Sequence, residues 1–213
     1  TSAANGSVAL TGGNVDGAQN LTITAGSGAV SFDGVGQNTA IGALDVDTSG
    51  ALTFNDALAA GSIALDGAAN VDLATGAVTL DTSAANGVVT FATAGAIDGG
   101  QNLTITAGSG AVNLSAIGAG TAIGALDIDT TGTTTVNGNI VAGSIALDGA
   151  SDVDLATGAI TLNTSAANGA VALTGGAVDG AQDLTITAGS GAVSLGAIGA
   201  GTAIGALDID TTG

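Results

Sequence analysis

Paired carboxylates are the residues in this chain whose type and spacing can do chemistry. Asp45 and Asp47 flank Val46, and the arrangement returns as Asp127/Asp129 around Ile128 and as Asp208/Asp210 around Ile209. In a strand, residues two apart point to the same face about 7 Å from one another. Oxygen donors at that spacing suit a hydrated Ca2+, so calcium at these three pairs is one expectation. The competing expectation is a plain solvated acidic face. Successive pairs lie one long repeat apart, and the calcium-binding solenoid nonapeptide G-G-x-G-x-D-x-U-x is absent. Asp152 and Asp154 form a fourth pair, but the counterpart one repeat earlier is Asn70 with Asp72.

Two carboxylates also serve as acid and base in glycoside chemistry. The chain offers them no help: Lys, Arg and His are all zero, as are Trp and Tyr, which would form a sugar platform. Ser and Thr are plentiful, yet a nucleophilic hydroxyl needs a neighbouring base. The acidic residues recur as repeats do and converge nowhere visible. No catalytic residue, no organic cofactor and no enzymatic activity are expected, and no metal ligand set is assigned beyond the three Asp pairs.

The composition narrows the remaining classes. The 213 residues carry 18 acidic side chains, all of them Asp, for a formal net charge of −18, while 46% of residues are hydrophobic. Nucleic-acid binding needs Lys or Arg against phosphate and is excluded. Cys is zero, which removes disulfides, zinc knuckles and thiol nucleophiles. Gly without a three-residue period and without Pro is not collagen, and high hydrophobicity with low charge density is not disorder. Asp, Asn and clustered Gly and Thr interrupt every apolar run before it reaches the roughly 20 residues of a membrane helix. The alternations are too short, and the three Phe too few, for a membrane barrel with its aromatic girdles. Thr22, Thr24 and the run Thr133 to Thr135 resemble an ice-binding array, but Asp and Ala interrupt the pattern. Thr is also simply a good strand residue. Low charge and no Pro suit cross-β stacking, and the recurrent Gly and Asn corners favour a folded coil instead.

Repeats decide the architecture. Thr1-Ser2-Ala3-Ala4-Asn5-Gly6 returns from Thr82 and from Thr164, and Leu21-Thr22-Ile23-Thr24-Ala25-Gly26-Ser27-Gly28 returns from Leu103 and from Leu184. Three long repeats follow, roughly 1–81, 82–163 and a partial 164–213. Inside each, apolar alternations such as Val8/Leu10, Leu21/Ile23, Val30/Phe32 and Leu44/Val46 mark short strands separated by Gly- and Asn-bearing turns. Starting points at Leu21, Leu44, Ile63, the region of Thr82 and Leu103 divide the repeat into four coils of about 20 residues. The expected fold is an all-β parallel β-helix, one continuous solenoid over 1–213. Both ends fall mid-pattern, and the expectation is a window on a longer chain or one unit of an end-to-end filament. No basic n-region followed by an apolar stretch opens the chain, so an export signal is expected outside these residues.

The units Asn20-Leu21-Thr22-Ile23-Thr24-Ala25-Gly26, Gly42-Ala43-Leu44-Asp45-Val46 and Ala60-Gly61-Ser62-Ile63-Ala64-Leu65 resemble repeats of filamentous-haemagglutinin-type adhesins. Those are very large bacterial proteins, often exported by two-partner secretion, whose shafts are right-handed parallel β-helices. The resemblance implies a right-handed coil, a cell-surface or extracellular location, and a structural shaft. It names no receptor. The amino-terminal secretion domain typical of that family does not occur in these residues, and zero basic residues goes beyond the family's usual composition. Expected partners are further turns of the same chain, copies joined end to end, and divalent cations. The alternative function is a Ca2+- or glycan-binding module that uses the Asp-bearing faces.

Overall fold

The computed structural model describes residues 4–91 and 94–212. Thr1, Ser2 and Ala3 of the first TSAANG copy, and the last residue of the third repeat, Gly213, lie outside them. Within them the chain is the expected parallel β-solenoid, about nine turns high. At a rise of ~4.8 Å per turn, nine turns make a rod on the order of 40 Å long. Every ladder between strands is parallel.

The strands stack into three sheets, so each turn has three sides. The first side begins with Val8–Leu10, Val30–Phe32 and Ala51–Phe54. The second includes Val78–Asp81, Leu103–Gly108 and Ile123–Thr130. The third begins with Leu21–Gly26 and Ile41–Thr48 and continues through the second half of Leu58–Asp66, which bends around a corner.

Alternation sets what faces inward. On the first side Val8, Val30, Leu52, Val71 and Ile97 stand one above another, and Ile117 and Ile140 continue the column. Leu162, Ile186 and Ile209 complete it. Aliphatic side chains of like shape nest at each rung, and the burial is contiguous from Val30 to Ile186. Phe32 and Phe54 stack with ring centroids 5.8 Å apart and planes 15° apart. Pro has no place here because every rung both donates and accepts along the ladder.

Corners are built from small residues in contact with backbone. In each LTITAG copy the alanine is an extra, buried residue, and the glycine after it turns the corner with φ of 60°, 61° and 59° at Gly26, Gly108 and Gly189. Buried threonines one turn on satisfy the freed carbonyls. Thr48 Oγ1 donates to Gly28 O at 2.7 Å, and Thr130 Oγ1 to Gly110 O at 2.6 Å.

Thr134 breaks this rule. It faces inward between Val112 and Val153, is 0% exposed, and its hydroxyl has no hydrogen-bond partner. A buried unsatisfied hydroxyl costs about 1–3 kcal/mol. Thr134→Val keeps the shape and removes that cost, and should raise the melting temperature by about 2–4 °C per kcal/mol recovered. Differential scanning calorimetry checks this, and an unchanged or lower melting temperature refutes it.

The turns average about 22 residues, rather than the 20 drawn from the repeat boundaries, and this shifts the phase of the repeat. Leu21, Leu44 and Ile63 do sit directly above one another. The next residue on that column is Val89, because the Thr82–Gly87 corner lengthens the path. Leu103 then lies on the second side, stacked on Val78. A long repeat therefore spans eleven sides, or three and two-thirds turns instead of four. The three LTITAG copies occupy the third, second and first sides in succession.

Candidate functional site

The phase shift separates the candidate Asp pairs. Asp45 and Asp47 lie on the third side, above Thr22 and Thr24. Asp127 and Asp129 lie on the second, above Thr104 and Thr106. Asp208 and Asp210 lie on the first, above Thr185 and Thr187. Each of these three pairs points outward and each is on a different side; the fourth pair, Asp152/Asp154, shares the third side with Asp45/Asp47, five rungs away. Aspartates do stand in register on adjacent rungs, as Asp47 with Asp66, Asp72 with Asp98, and Asp154 with Asp179. Among the described residues no group of three or more acidic side chains is placed to hold a metal ion. Asp152 sits between Thr133 and Ala177, and Asp154 between Thr135 and Asp179.

Electrostatic crowding is clearest at Asp127. Partial burial, then the charges of Asp148 and Asp129, push its carboxyl above the ordinary 3.8. The folded state thus holds this proton more tightly than the unfolded chain does. Its favourable contribution is full below about pH 3.8 and is lost as pH rises through the higher folded value. Asp127→Asn should therefore raise the melting temperature at pH 7 and leave it nearly unchanged at pH 2.5. Equal shifts at both pH values would refute the electrostatic account.

Further acidic and amide residues act at corners, where the period-two alternation of the strands does not mark them. Asp98 Oδ1 accepts the backbone N–H of Gly120 at 2.8 Å and of Thr121 at 2.9 Å. Asp179 does the same for Gly201 and Thr202 at 2.9 and 3.0 Å. Asp16 receives Asn38 through its side-chain amide at 2.8 Å and its backbone N–H at 2.9 Å, which holds its carboxyl below the ordinary range. Asn20, Asn102 and Asp183 accept from Ala43, Ala125 and Ala206. Asn5, Asn86 and Asn168, with φ of 49°, 55° and 55°, accept from Ser27, Ser109 and Ser190 one turn on. The only signal that marks these positions in advance is their recurrence at the same place in every long repeat.

A shallow polar groove crosses four turns near Asn14, Asp33, Asn55, Asp56 and Thr75. Its groups are already engaged: Asp33 accepts from Gly12 at 2.6 Å, Asp56 from Ala57 at 2.7 Å, and Thr75 donates to Asn55 O at 2.6 Å. Outward residues elsewhere are mixed from rung to rung. The third side reads Thr22, Asp45, Ala64, Thr90, Asn113, Thr135, Asp154. This interruption is the one expected against an ice-binding array.

Among the described residues no helix is long and apolar enough to cross a membrane. Comparison with protein-family models, with curated proteins and with solved structures finds no match.

Proposed function

We propose that this chain is a structural shaft: a stiff spacer of an extracellular, adhesin-like repeat protein, without catalytic activity. The observation that carries the reading is the unbroken inward column from Val8 to Ile209, closed on three sides by parallel ladders. Bending such a rod means opening backbone hydrogen bonds and aliphatic contacts on one side at every turn. Its outer surface carries only negative charge, which keeps it soluble and repels other acidic surfaces. A chain without Lys or Arg has no tryptic site, and one without Met, Cys, Trp or Tyr has few groups to oxidise. Those properties suit a long-lived fibre at the cell surface. The resemblance to filamentous-haemagglutinin-type repeats supports the same role.

Cryo-electron microscopy of the native material tests this. Straight thin rods with a layer line near 4.8 Å are expected. Compact particles or flexible strings would overturn it.

The crowding of Asp127 by Asp148 and Asp129 favours a second reading, a module that takes up divalent cations on its Asp-bearing faces. Under that reading Ca2+ raises the melting temperature of the natural chain and not of Asp127→Asn. A melting temperature indifferent to Ca2+ removes it.

A further inference from the structure

The dipeptide Asn-Gly occurs as Asn5-Gly6, Asn86-Gly87, Asn137-Gly138 and Asn168-Gly169. Asparagine is among the thermolabile residues, and a glycine after it offers the least hindered backbone nitrogen, because it has no β-carbon. That nitrogen can attack the asparagine Cγ. The N–Cγ bond forms, the Cγ–Nδ2 bond breaks, and ammonia leaves with the proton. Water then opens the five-membered imide at either carbonyl, giving aspartate or isoaspartate. In a chain without Met, Cys, Trp or Tyr, this is a covalent ageing route that the composition leaves open.

The corner copies are closed to it. Asn86 Oδ1 accepts the Ser109 N–H at 2.9 Å, the Asn86 N–H donates to Ser83 O at 3.2 Å, and the Gly87 N–H donates to Thr82 O at 3.2 Å. Thr82 Oγ1 also donates to Gly87 O at 2.6 Å. The corner at Asn168 and Gly169 repeats these bonds with Ser190, Ser165 and Thr164. Swinging Cγ toward the glycine nitrogen pulls Oδ1 from the next turn, and freeing that nitrogen opens the corner. Ring closure there waits on local unfolding.

Asn137 is placed otherwise. It follows the strand Thr133–Val136 and precedes Ile140–Ala146, outside both. Its backbone N–H and its side-chain amide both donate to Leu114 O, at 3.0 and 3.1 Å, and its carbonyl accepts from Thr157 Oγ1 at 2.6 Å. Among the described residues nothing accepts the Gly138 N–H and nothing donates to Asn137 Oδ1. The attacking nitrogen is therefore free, and the one side-chain bond to break is that of the departing amide. We propose that Asn137 is the deamidation site of this solenoid, and that their hydrogen bonds spare the corner asparagines. The product carboxylate cannot donate to Leu114 O, and the iso form adds one backbone atom between Val136 and Ile140, where the chain passes from the third side to the first.

Ageing the full chain in mildly alkaline buffer, folded and in urea, tests this. Each sample is then unfolded and digested with elastase, and mass spectrometry with electron-transfer fragmentation reads aspartate and isoaspartate at each site. In the folded chain Asn137 is expected to convert about tenfold or more faster than Asn86 and Asn168. In urea the three should agree within about twofold, because the corner bonds are gone. Thr82→Val keeps the shape of a side chain that is 0% exposed and releases Gly87 O. Once circular dichroism shows that this variant keeps the β signal, it should speed Asn86 and leave Asn168 as before. Equal rates at the three folded sites, a corner that leads Asn137, or no conversion of Asn137 while the urea sample converts would each overturn the proposal. The same preference for Asn137 in urea would assign it to sequence and overturn it too, and an unchanged Asn86 in the Thr82 variant would overturn the part given to the corner bonds.

Discussion

Gly87→Ala is expected to be among the most damaging single-methyl additions in this chain. A β-carbon at that position would sit well inside contact distance of the Gly61 carbonyl oxygen one turn below. Gly110 stands in turn on the Gly87 carbonyl, and Gly132 on Gly110. The obstruction at Gly87 is the backbone of Gly61 and Ser62, so no side-chain rotamer can relieve it. Either the Val89–Thr90 rung lifts away from Leu58–Asp66, breaking the Ile63–Val89 pairing, or the corner rotates and exposes Val89. Overpacking of this kind costs about 1–3 kcal/mol where side chains can shift. Against fixed backbone a loss of about 3 kcal/mol or more is expected, which lowers the melting temperature by roughly 10 °C in a chain of this size. Gly76 is the control, since nothing lies within 4 Å of its β-carbon position and its φ is ordinary. Gly76→Ala should be neutral or slightly stabilising, because it only narrows the unfolded ensemble. Equal melting temperatures for the two variants would refute the account of the corner.

The same corner shows why the solenoid was legible in the sequence and its phase was not. Period-two alternation at Leu21/Ile23 or Leu44/Val46 identifies a strand with one buried face, and repeated Gly and Asn between such strands identify a coil. Nothing in the alternation says which of three chemically similar sides a strand occupies. That depends on corner length: Leu44 to Ile63 is one turn and so is Ile63 to Val89, yet the second takes seven residues more because it contains Thr82–Gly87. The acidic residues divide in the same way. Asp45 and Asp47 announce an outward face by their spacing. Asp98 and Asp179 bind backbone N–H groups of the next turn, an interaction across 22 residues that local pattern does not record. Calcium was suggested by the spacing within each pair, and the three pairs turn out to face three directions.

Removing 82 residues should harm this fold less than removing one. Deleting residues 82–163 joins Asp81 to Thr164, and the junction copies chemistry already present. Asp81 Oδ1 accepts the Ser83 hydroxyl at 2.6 Å, and Asn163 Oδ1 accepts that of Ser165 at 2.7 Å. Ser165 can take the place of Ser83. The segment above then stacks Val171 on Ile63, as Val89 does now, and Gly169 on Gly61, as Gly169 now stands on Gly143. Everything above the junction turns by a third, and each new contact repeats an existing one. The shortened chain should keep its β signal and unfold cooperatively. Deleting Thr104 alone has the opposite consequence. Leu103, Ile105 and Ala107 face inward, and a one-residue slip sends Ile105 outward and Thr106 inward. Exposing an isoleucine costs about 1.5–3 kcal/mol, and burying an unpaired hydroxyl adds about 1–3 kcal/mol. Urea denaturation of the two deletions decides the matter. A folded Thr104 deletion beside an aggregated 82-residue deletion would mean that the long repeat, and not the single side, is the unit from which the rod is built.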